Sequence, residues 1–296
     1  MEKAKQSYFF ATLAILFWST IPTAFKIGLG ELSVLPMLTI ASITSTFILF
    51  IIVLVERKFD LVLKMKSRDI ISSALLGLIN PLLYYMILLK AYQLLPAQVA
   101  QPLNMIWPIV LVFLSVPFLK QKISAKSYLT LFISFVGVYL ISSQGQPFSP
   151  GRSDTTGVLL AMGSSFFWAL YFILNVRDKR DESVKLFTNF LFATSYLIIL
   201  FIFLGNTSEY LSTKGILASI YTGLFEMGIG FFFWLKALQL APTTDKVSNL
   251  VYFGPFLSLV FVHFFLHEPV YYTTLLGLLL IITGVFVQNR KTKQGR

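Results

Sequence analysis

The sequence predicts an all-α membrane protein with ten transmembrane helices, arranged as two inverted-topology repeats of five helices each. Three observations support this fold class: long apolar segments, an alternating distribution of Lys and Arg between them, and a sequence repeat between the two halves. Of the 296 residues, 56% are hydrophobic and only 12% are charged, which is too little polar surface for a soluble protein of this size. Lipid is therefore the expected solvent.

The apolar segments are long enough, at about 1.5 Å per residue, to cross a hydrocarbon core of roughly 30 Å. The predicted spans are residues 8–29, 34–55, 69–89, 97–119, 127–144, 157–176, 185–205, 214–235, 247–266 and 272–289. The first span follows Lys3 and Lys5, as a signal peptide would, but it is longer than a signal core and contains Trp18 and Lys26. We therefore expect it to be a retained helix.

Positive charges are concentrated in alternate gaps between the spans. These gaps and the two ends of the sequence hold 20 of the 24 Lys and Arg residues, whereas the opposite gaps hold Lys90, Arg152 and Lys214, and Lys26 lies inside a span. Short loops rich in Lys and Arg stay cytoplasmic, so both termini are predicted to be cytoplasmic, in the inner (plasma) membrane. Topology thereby accounts for the net charge of +11, and we expect no nucleic-acid partner.

An internal repeat relates the two halves of the chain. Residues 85–96 align with residues 231–242 without a gap and are identical at six of twelve positions. At the same offset, Gly77 matches Gly223 and Asn80 matches Glu226. The predicted repeats are residues 1–146 and 147–296. Because each holds an odd number of spans, the second must cross the membrane upside down relative to the first, as in many secondary transporters.

The motifs that the two halves share resemble a known family. They are Leu16-Phe-Trp-Ser19 with Phe166-Phe-Trp-Ala169, the Lys-Ala-x-x-Leu-x-Pro turns at 90 and 236, Pro108 with Pro255, and Glu268 with Gly284-Val285. Together they resemble the EamA-like ten-helix branch of the drug/metabolite transporter superfamily. Asn104-Met-Ile-Trp-Pro108 and Tyr252-Phe-Gly-Pro255 look most like the aromatic amino-acid exporters of that superfamily. The resemblance implies transport of small molecules.

Glu226 is the first candidate for a functional residue. It is the only acidic residue predicted to lie deep in a span, and a charge there costs about 2.5–3.5 kcal/mol on insertion scales. It could couple transport to protons or bind the amino group of a substrate, or it could make a structural hydrogen bond to a neighbouring helix. Asn80, at the equivalent position of the first repeat, could face the same cavity.

Other candidates are a lysine, an asparagine and a set of aromatic residues. Lys26 could bind a substrate carboxylate, pair with Glu226, or extend its side chain to the outer interface. Asn104 could line the site. The aromatic residues lie in spans that line the cavity in the family resemblance, where they could stack on a substrate, pack against neighbouring helices or form an interfacial belt. They are Trp18, Tyr84, Tyr85, Trp107, Trp168 and Tyr252.

Several kinds of chemistry have no sequence support. The chain has no cysteine, and His263 and His267 form an i, i+4 pair without a third ligand, so no metal site is predicted. No nucleotide-binding loop or catalytic motif occurs, so we expect no cofactor and no enzyme activity.

The leading prediction is a secondary-active exporter of amino acids, including aromatic ones, or of related small metabolites, with the lipid bilayer, a small-molecule substrate and protons as partners. The alternatives are uptake or exchange of a larger metabolite such as a nucleotide derivative, a channel, and an intramembrane enzyme.

Overall fold

The computed structural model describes residues 2–119, 125–148, 152–205, 211–241 and 249–289. These ranges are helical, and no β-strand occurs within them. The α-helices are α1 Glu2–Leu29, α2 Val34–Val55, α3 Phe59–Leu63, α4 Ser67–Gly77, α5 Tyr84–Leu94, α6 Ala97–Asn104, α7 Trp107–Leu119, α8 Ala125–Ser142, α9 Thr155–Arg177, α10 Glu182–Leu204, α11 Thr213–Thr222, α12 Ile229–Leu240, α13 Gly254–Leu266 and α14 Tyr272–Asn289.

Seven helical segments within the described ranges are long and apolar enough to cross a membrane. They are Lys3–Leu29, Val34–Val55, Ser67–Leu94, Ala97–Phe118, Thr155–Asn175, Glu182–Leu204 and Thr213–Leu240. Three shorter apolar helices accompany them, at Tyr128–Ser142, Leu250–Leu266 and Tyr272–Val287. The prediction of an all-α membrane protein is confirmed at this level, and α2 has the predicted bounds of the second span. The first helix begins at Glu2, before the predicted residue 8, because a polar turn can extend beyond the hydrocarbon core.

Three of the predicted spans contain irregular segments. The third is interrupted by a π-helical turn at Leu78–Leu83, in which Asn80 has non-helical φ and ψ of −145° and 123°. The cause is Pro81, since the ring of a proline pushes the preceding residue out of the helical region. A second π-helical turn, Gly223–Gly228, joins α11 to α12 in the eighth span. In the fourth span, α6 ends before Pro108, whose ring would collide with the carbonyl of residue 104.

Packing divides the chain into two compact units. The first contains residues 1–89 and 178–267, and the second contains residues 90–177 and 268–296. Each unit contains segments from both halves of the chain. The predicted repeats, residues 1–146 and 147–296, describe a sequence relation between the halves, and they stay a prediction. Part of the predicted cytoplasmic charge lies outside the described residues: Lys120, Lys122, Lys246, Arg290, Lys291, Lys293 and Arg296.

In the first unit, α1 runs antiparallel to α11 and α12. Near one end, the Ser7 hydroxyl donates to the Ala237 carbonyl at 2.6 Å. Further along, the hydroxyls of Thr20 and Tyr221 lie 2.8 Å apart. The two Gly residues that match in the sequence repeat both allow close helix contacts, since an added Cβ would lie 2.3 Å from the Asn189 carbonyl oxygen at Gly77 and 2.4 Å from the Ala41 carbonyl oxygen at Gly223.

The second unit has its own close contact, between α8 and α14. A Cβ added to Gly137 would lie 2.7 Å from the carbonyl oxygen of Gly277, and one added to Gly277 would lie 2.4 Å from that of Gly137. The two backbones therefore touch directly at this crossing. Small residues provide such contacts in membranes, where helix association depends on close packing rather than on the hydrophobic effect.

Candidate functional site

Glu226 and Tyr85 meet inside the first unit. Glu226 lies in the second π-helical turn, and its Oε1 accepts a hydrogen bond of 2.9 Å from the Tyr85 hydroxyl. Tyr85 is fully buried and Glu226 is partly buried. A π-helical turn widens the helix locally, and such turns occur often at functional sites. The structure thus brings two of the residues predicted from the sequence into direct contact.

Trp18 approaches the same turn from α1. Its indole Nε1 donates to the backbone carbonyl oxygen of Glu226 at 3.3 Å. The approach depends on Gly230, because a Cβ at that position would lie 2.7 Å from Trp18 Nε1 and 2.2 Å from the carbonyl oxygen of Phe225. A side chain at residue 230 would therefore displace the indole, the π-helical turn, or both.

Aromatic rings surround this contact. The Tyr84 and Tyr85 rings are 4.6 Å apart, and the Phe25 ring is 6.4 Å from Tyr85. On the other side, the Trp18 ring is 5.9 Å from Phe231 and 5.5 Å from Trp234. The face of an aromatic ring attracts cations, and aromatic rings pack edge-to-face or offset-stacked against one another. Sequence reasoning missed Phe25, Phe231 and Trp234, because nothing in their spacing separates them from the other aromatic residues of the spans.

Asn80 is buried without partners for its amide. Its side chain is fully buried in the first π-helical turn, and neither Oδ1 nor Nδ2 has a hydrogen-bond partner among the described residues. Leaving a buried polar group unpaired costs roughly 1–3 kcal/mol. Asn80 lies five residues before Tyr85, in the π-helical turn that precedes α5. The role of the unpaired amide in binding a polar ligand stays a prediction.

Lys26 lies on α1, next to one of the aromatic residues near Tyr85. It follows Phe25, whose ring faces Tyr85, and its side chain is partly buried. Its predicted pairing with Glu226 or with a substrate carboxylate stays a prediction.

The remaining predicted site residues lie elsewhere. Asn104, Trp107 and Trp168 belong to the second unit, where Asn104 Nδ2 donates to Ser164 Oγ at 2.8 Å and the two tryptophan rings are 6.4 Å apart. Tyr252 is in the first unit, in the short 3₁₀ helix Asn249–Phe253. The structure therefore brings Trp18, Tyr84 and Tyr85 together around Glu226 in the first unit, and Trp107 next to Trp168 in the second.

Glu268 has a structural role in the second unit that sequence reasoning did not identify. Its two carboxylate oxygens accept hydrogen bonds from the backbone N–H groups of Ala97 and Gln98, at 3.0 and 3.1 Å. These are donors at the first turn of α6, where an acidic group also interacts favourably with the helix dipole. Gln98 Oε1 in turn accepts from the Thr274 hydroxyl at 3.3 Å. The start of α6 is thus tied to the segment that begins α14.

Across the described ranges, no group of three or more His, Cys, Asp or Glu side chains is arranged to hold a metal ion. His267 has left-handed backbone geometry at the end of α13, one turn after His263.

An all-helical chain with many apolar spans, and with a carboxylate held among aromatic rings inside one of them, has the character of a multi-pass membrane transporter. The chain belongs to the EamA-like transporter family, whose model matches residues 5–143 and again residues 155–290.

Relatives are similar over nearly the whole chain. An uncharacterized transporter of Bacillus subtilis, YvbV, is 26% identical and covers 99% of this chain and 94% of its own. An uncharacterized transporter of Archaeoglobus fulgidus is 25% identical, with coverage of 94% and 97%. One crystal structure has a TM-score of 0.67, with 19% identity and 97% of each chain covered, a likeness that shows the fold alone.

Proposed function

We propose that this chain is a secondary-active transporter that exports amino acids or related small metabolites by alternating access, with aromatic amino acids as the first substrates to test. The proposal includes ten transmembrane helices, since three shorter apolar helices accompany the seven long ones. It also includes two inverted repeats, residues 1–146 and 147–296, and the double match of the family model supports them. The chain would lie in the inner membrane, with both ends of the sequence cytoplasmic.

The observation that carries the proposal is the hydrogen bond between Tyr85 and Glu226 within the transmembrane helices. A carboxylate there accepts either a proton or a substrate ammonium group, and the aromatic rings beside it attract a cation. The phenol of Tyr85 holds the carboxylate in place. Because proton and ammonium compete for one group, binding of one requires release of the other, which would couple transport to a proton gradient.

Asn80, in the first π-helical turn, and Lys26, on α1, would supply the rest of an amino-acid site. Asn80 lies in the π-helical turn that precedes the helix of Tyr85, and its amide donor and acceptor have no partner among the described residues. Lys26 provides a positive charge for the substrate carboxylate. A nucleotide derivative fits less well, because its phosphates would be repelled by an ionised Glu226.

A binding screen tests this proposal. Purified protein in detergent is heated with amino acids, amines or nucleotides over a range of pH, because a ligand of the folded state raises the apparent melting temperature. We expect aromatic amino acids to raise it and Glu226→Gln to remove the effect. Glu31→Gln is the matched control, since Glu31 lies at the membrane edge and faces Lys214 at 3.5 Å.

Loss of the shift in Glu226→Gln but not in Glu31→Gln supports the site. An equal shift in both variants would contradict the role of Glu226. Stabilisation by nucleotides alone would favour exchange of a larger metabolite. Tyr85→Phe removes only the phenol oxygen, so it should weaken binding of the amino acid while leaving the aromatic ring at position 85 in place.

A further inference from the structure

Basic residues of two kinds lie on the segment from the end of α2 to the first turn of α4, residues 56–68, and on the adjacent start of α10. One kind is paired with acidic side chains that join neighbouring helices. The other kind projects from the protein together with apolar side chains. This difference indicates a surface that binds a partner outside the protein chain.

The paired kind begins with Lys58. Its Nζ lies 2.7 Å from Glu56 and 2.8 Å from Asp181. Glu56 also accepts a 2.6 Å hydrogen bond from the Ser183 hydroxyl and faces Lys236 at 3.9 Å. Burial favours the neutral form of Glu56, but the hydrogen bonds from Lys58 and Ser183 and the charges of Lys58 and Lys236 outweigh it and lower its pKa. These groups fasten the end of α2 to the start of α10.

Arg180 and Lys185 complete the paired set at the start of α10. Arg180 binds Asp178 through two nitrogens, and its third nitrogen donates to the Ser73 hydroxyl at 2.9 Å. Lys185 is buried, lies 2.8 Å from Glu182, and donates to the Asp178 carbonyl at 3.0 Å. Lys58, Arg180 and Lys185 therefore already pair with the acidic side chains of this region, which are Glu56, Asp178, Asp181 and Glu182.

The second kind consists of Arg57, Lys64, Lys66 and Arg68. All four are exposed, and none forms an ion pair within the described part of the chain. Only two carboxylates, Asp60 and Asp69, lie among them, and Asp69 accepts from the backbone N–H of Lys66 at 3.0 Å. We call these four residues the outer cations. They leave an excess of positive charge on this loop.

Apolar side chains are exposed between the outer cations. Val55 at the end of α2 and Leu63 at the end of α3 are 76% and 70% exposed, and Leu61, Ile70 and Ile71 are exposed as well. Val55 belongs to α2, which is long and apolar enough to cross a membrane. Apolar side chains beside Lys and Arg are typical of segments that lie at the boundary between headgroups and acyl chains.

We propose that the outer cations form a binding site for the headgroups of anionic phospholipids, with Leu61 and Leu63 inserted beside the acyl chains. Because these residues directly follow α2, their positive charge would lie at the level of the lipid phosphates when α2 spans the bilayer. Juxtamembrane clusters of basic residues attract anionic lipids, and the attraction weakens as salt is added. The proposal does not depend on which substrate is transported.

The absence of cysteine allows a direct test. The full chain with Ser67→Cys, an exposed position between Lys66 and Arg68, is labelled with an environment-sensitive dye. It is placed in phosphatidylcholine vesicles that contain a small, equal fraction of either brominated phosphatidylglycerol or brominated phosphatidylcholine. Bromine quenches the dye only when the brominated lipid is adjacent. A second label at Gln6→Cys, which is also exposed, reports the general lipid composition at the same predicted side.

We expect brominated phosphatidylglycerol to quench the dye at residue 67 about three-fold more than brominated phosphatidylcholine. High salt should remove this excess quenching by brominated phosphatidylglycerol in the protein labelled at residue 67. The double substitution Lys64→Gln and Lys66→Gln should remove it at low salt. The control with equal charge change is Lys3→Gln with Lys5→Gln, which should leave the excess intact. Equal quenching by the two lipids would overturn the proposal. The proposal would also be overturned if the excess quenching persisted in the variant with Lys64→Gln and Lys66→Gln, or if the dye at residue 6 showed the same excess quenching.

Discussion

Gly230 is the position where one methyl group should disturb the candidate site most selectively. In Gly230→Ala, the new Cβ would lie 2.7 Å from the indole nitrogen of Trp18 and 2.2 Å from the carbonyl oxygen of Phe225. Both separations are shorter than a carbon atom tolerates. We therefore expect the indole to leave the Glu226 carbonyl and the π-helical turn to rearrange.

The magnitude follows from three contributions. Overpacking costs about 1–3 kcal/mol, and loss of the indole hydrogen bond costs about 1 kcal/mol. Replacement of a helical Gly by Ala recovers about 0.5–1 kcal/mol. The free energy of unfolding should fall by about 2 kcal/mol, which lowers Tm by roughly 5 °C for a chain of this size.

The assay is thermal unfolding in detergent together with binding of an aromatic amino acid. Gly163→Ala is the matched control, because a Cβ at Gly163 would have nothing within 4 Å. The control should keep or raise Tm and bind normally. The reasoning is refuted if Gly230→Ala and Gly163→Ala have the same Tm and the same affinity, since Trp18 would then not depend on the missing side chain.

Three further predictions concern stability. Glu268→Ala should lower the free energy of unfolding by about 2 kcal/mol, because two N–H groups at the start of α6 lose their acceptor, and Glu268→Gln should cost about half as much. Gly277→Ala should cost about 2–3 kcal/mol relative to Gly163→Ala, as its Cβ would lie 2.4 Å from the Gly137 carbonyl oxygen, and a Tm measurement compares them. Because the pKa of Glu56 is lowered in the folded protein, its stabilisation is fully present above the ordinary pKa of 4.5 and is lost as the pH falls through the lower pKa of the folded state. Glu56→Gln should therefore flatten the fall of Tm in acid, and an unchanged pH profile would contradict the ion-pair assignment.

The sequence was sufficient for the helices that depend on hydrophobicity and length. The second span was predicted at its observed bounds, because Val34–Val55 is predominantly apolar and carries no charge. The irregular segments were only partly predictable. Pro81 and Pro108 explain the interruptions of the third and fourth spans, whereas the π-helical turn at Gly223–Gly228 contains no proline and no sequence signal marked it.

The candidate site was predicted as a list of residues but not as an arrangement. An acidic residue within an apolar span identified Glu226, since its burial needs a reason. Its contact with Tyr85 could not be predicted, because the two residues lie 141 positions apart and the relation depends on helix packing. The role of Glu268 was missed for the same reason, since its partners lie about 170 positions earlier in the chain.

Transport in proteoliposomes tests the central claim most directly. Vesicles with purified protein and unlabelled phenylalanine inside are placed in radiolabelled phenylalanine, and exchange is followed for the wild type, Glu226→Gln and Glu31→Gln. We predict exchange by the wild type and Glu31→Gln, and none by Glu226→Gln although it inserts and remains folded. Equal exchange by all three proteins would contradict the role of Glu226 in carrying the substrate.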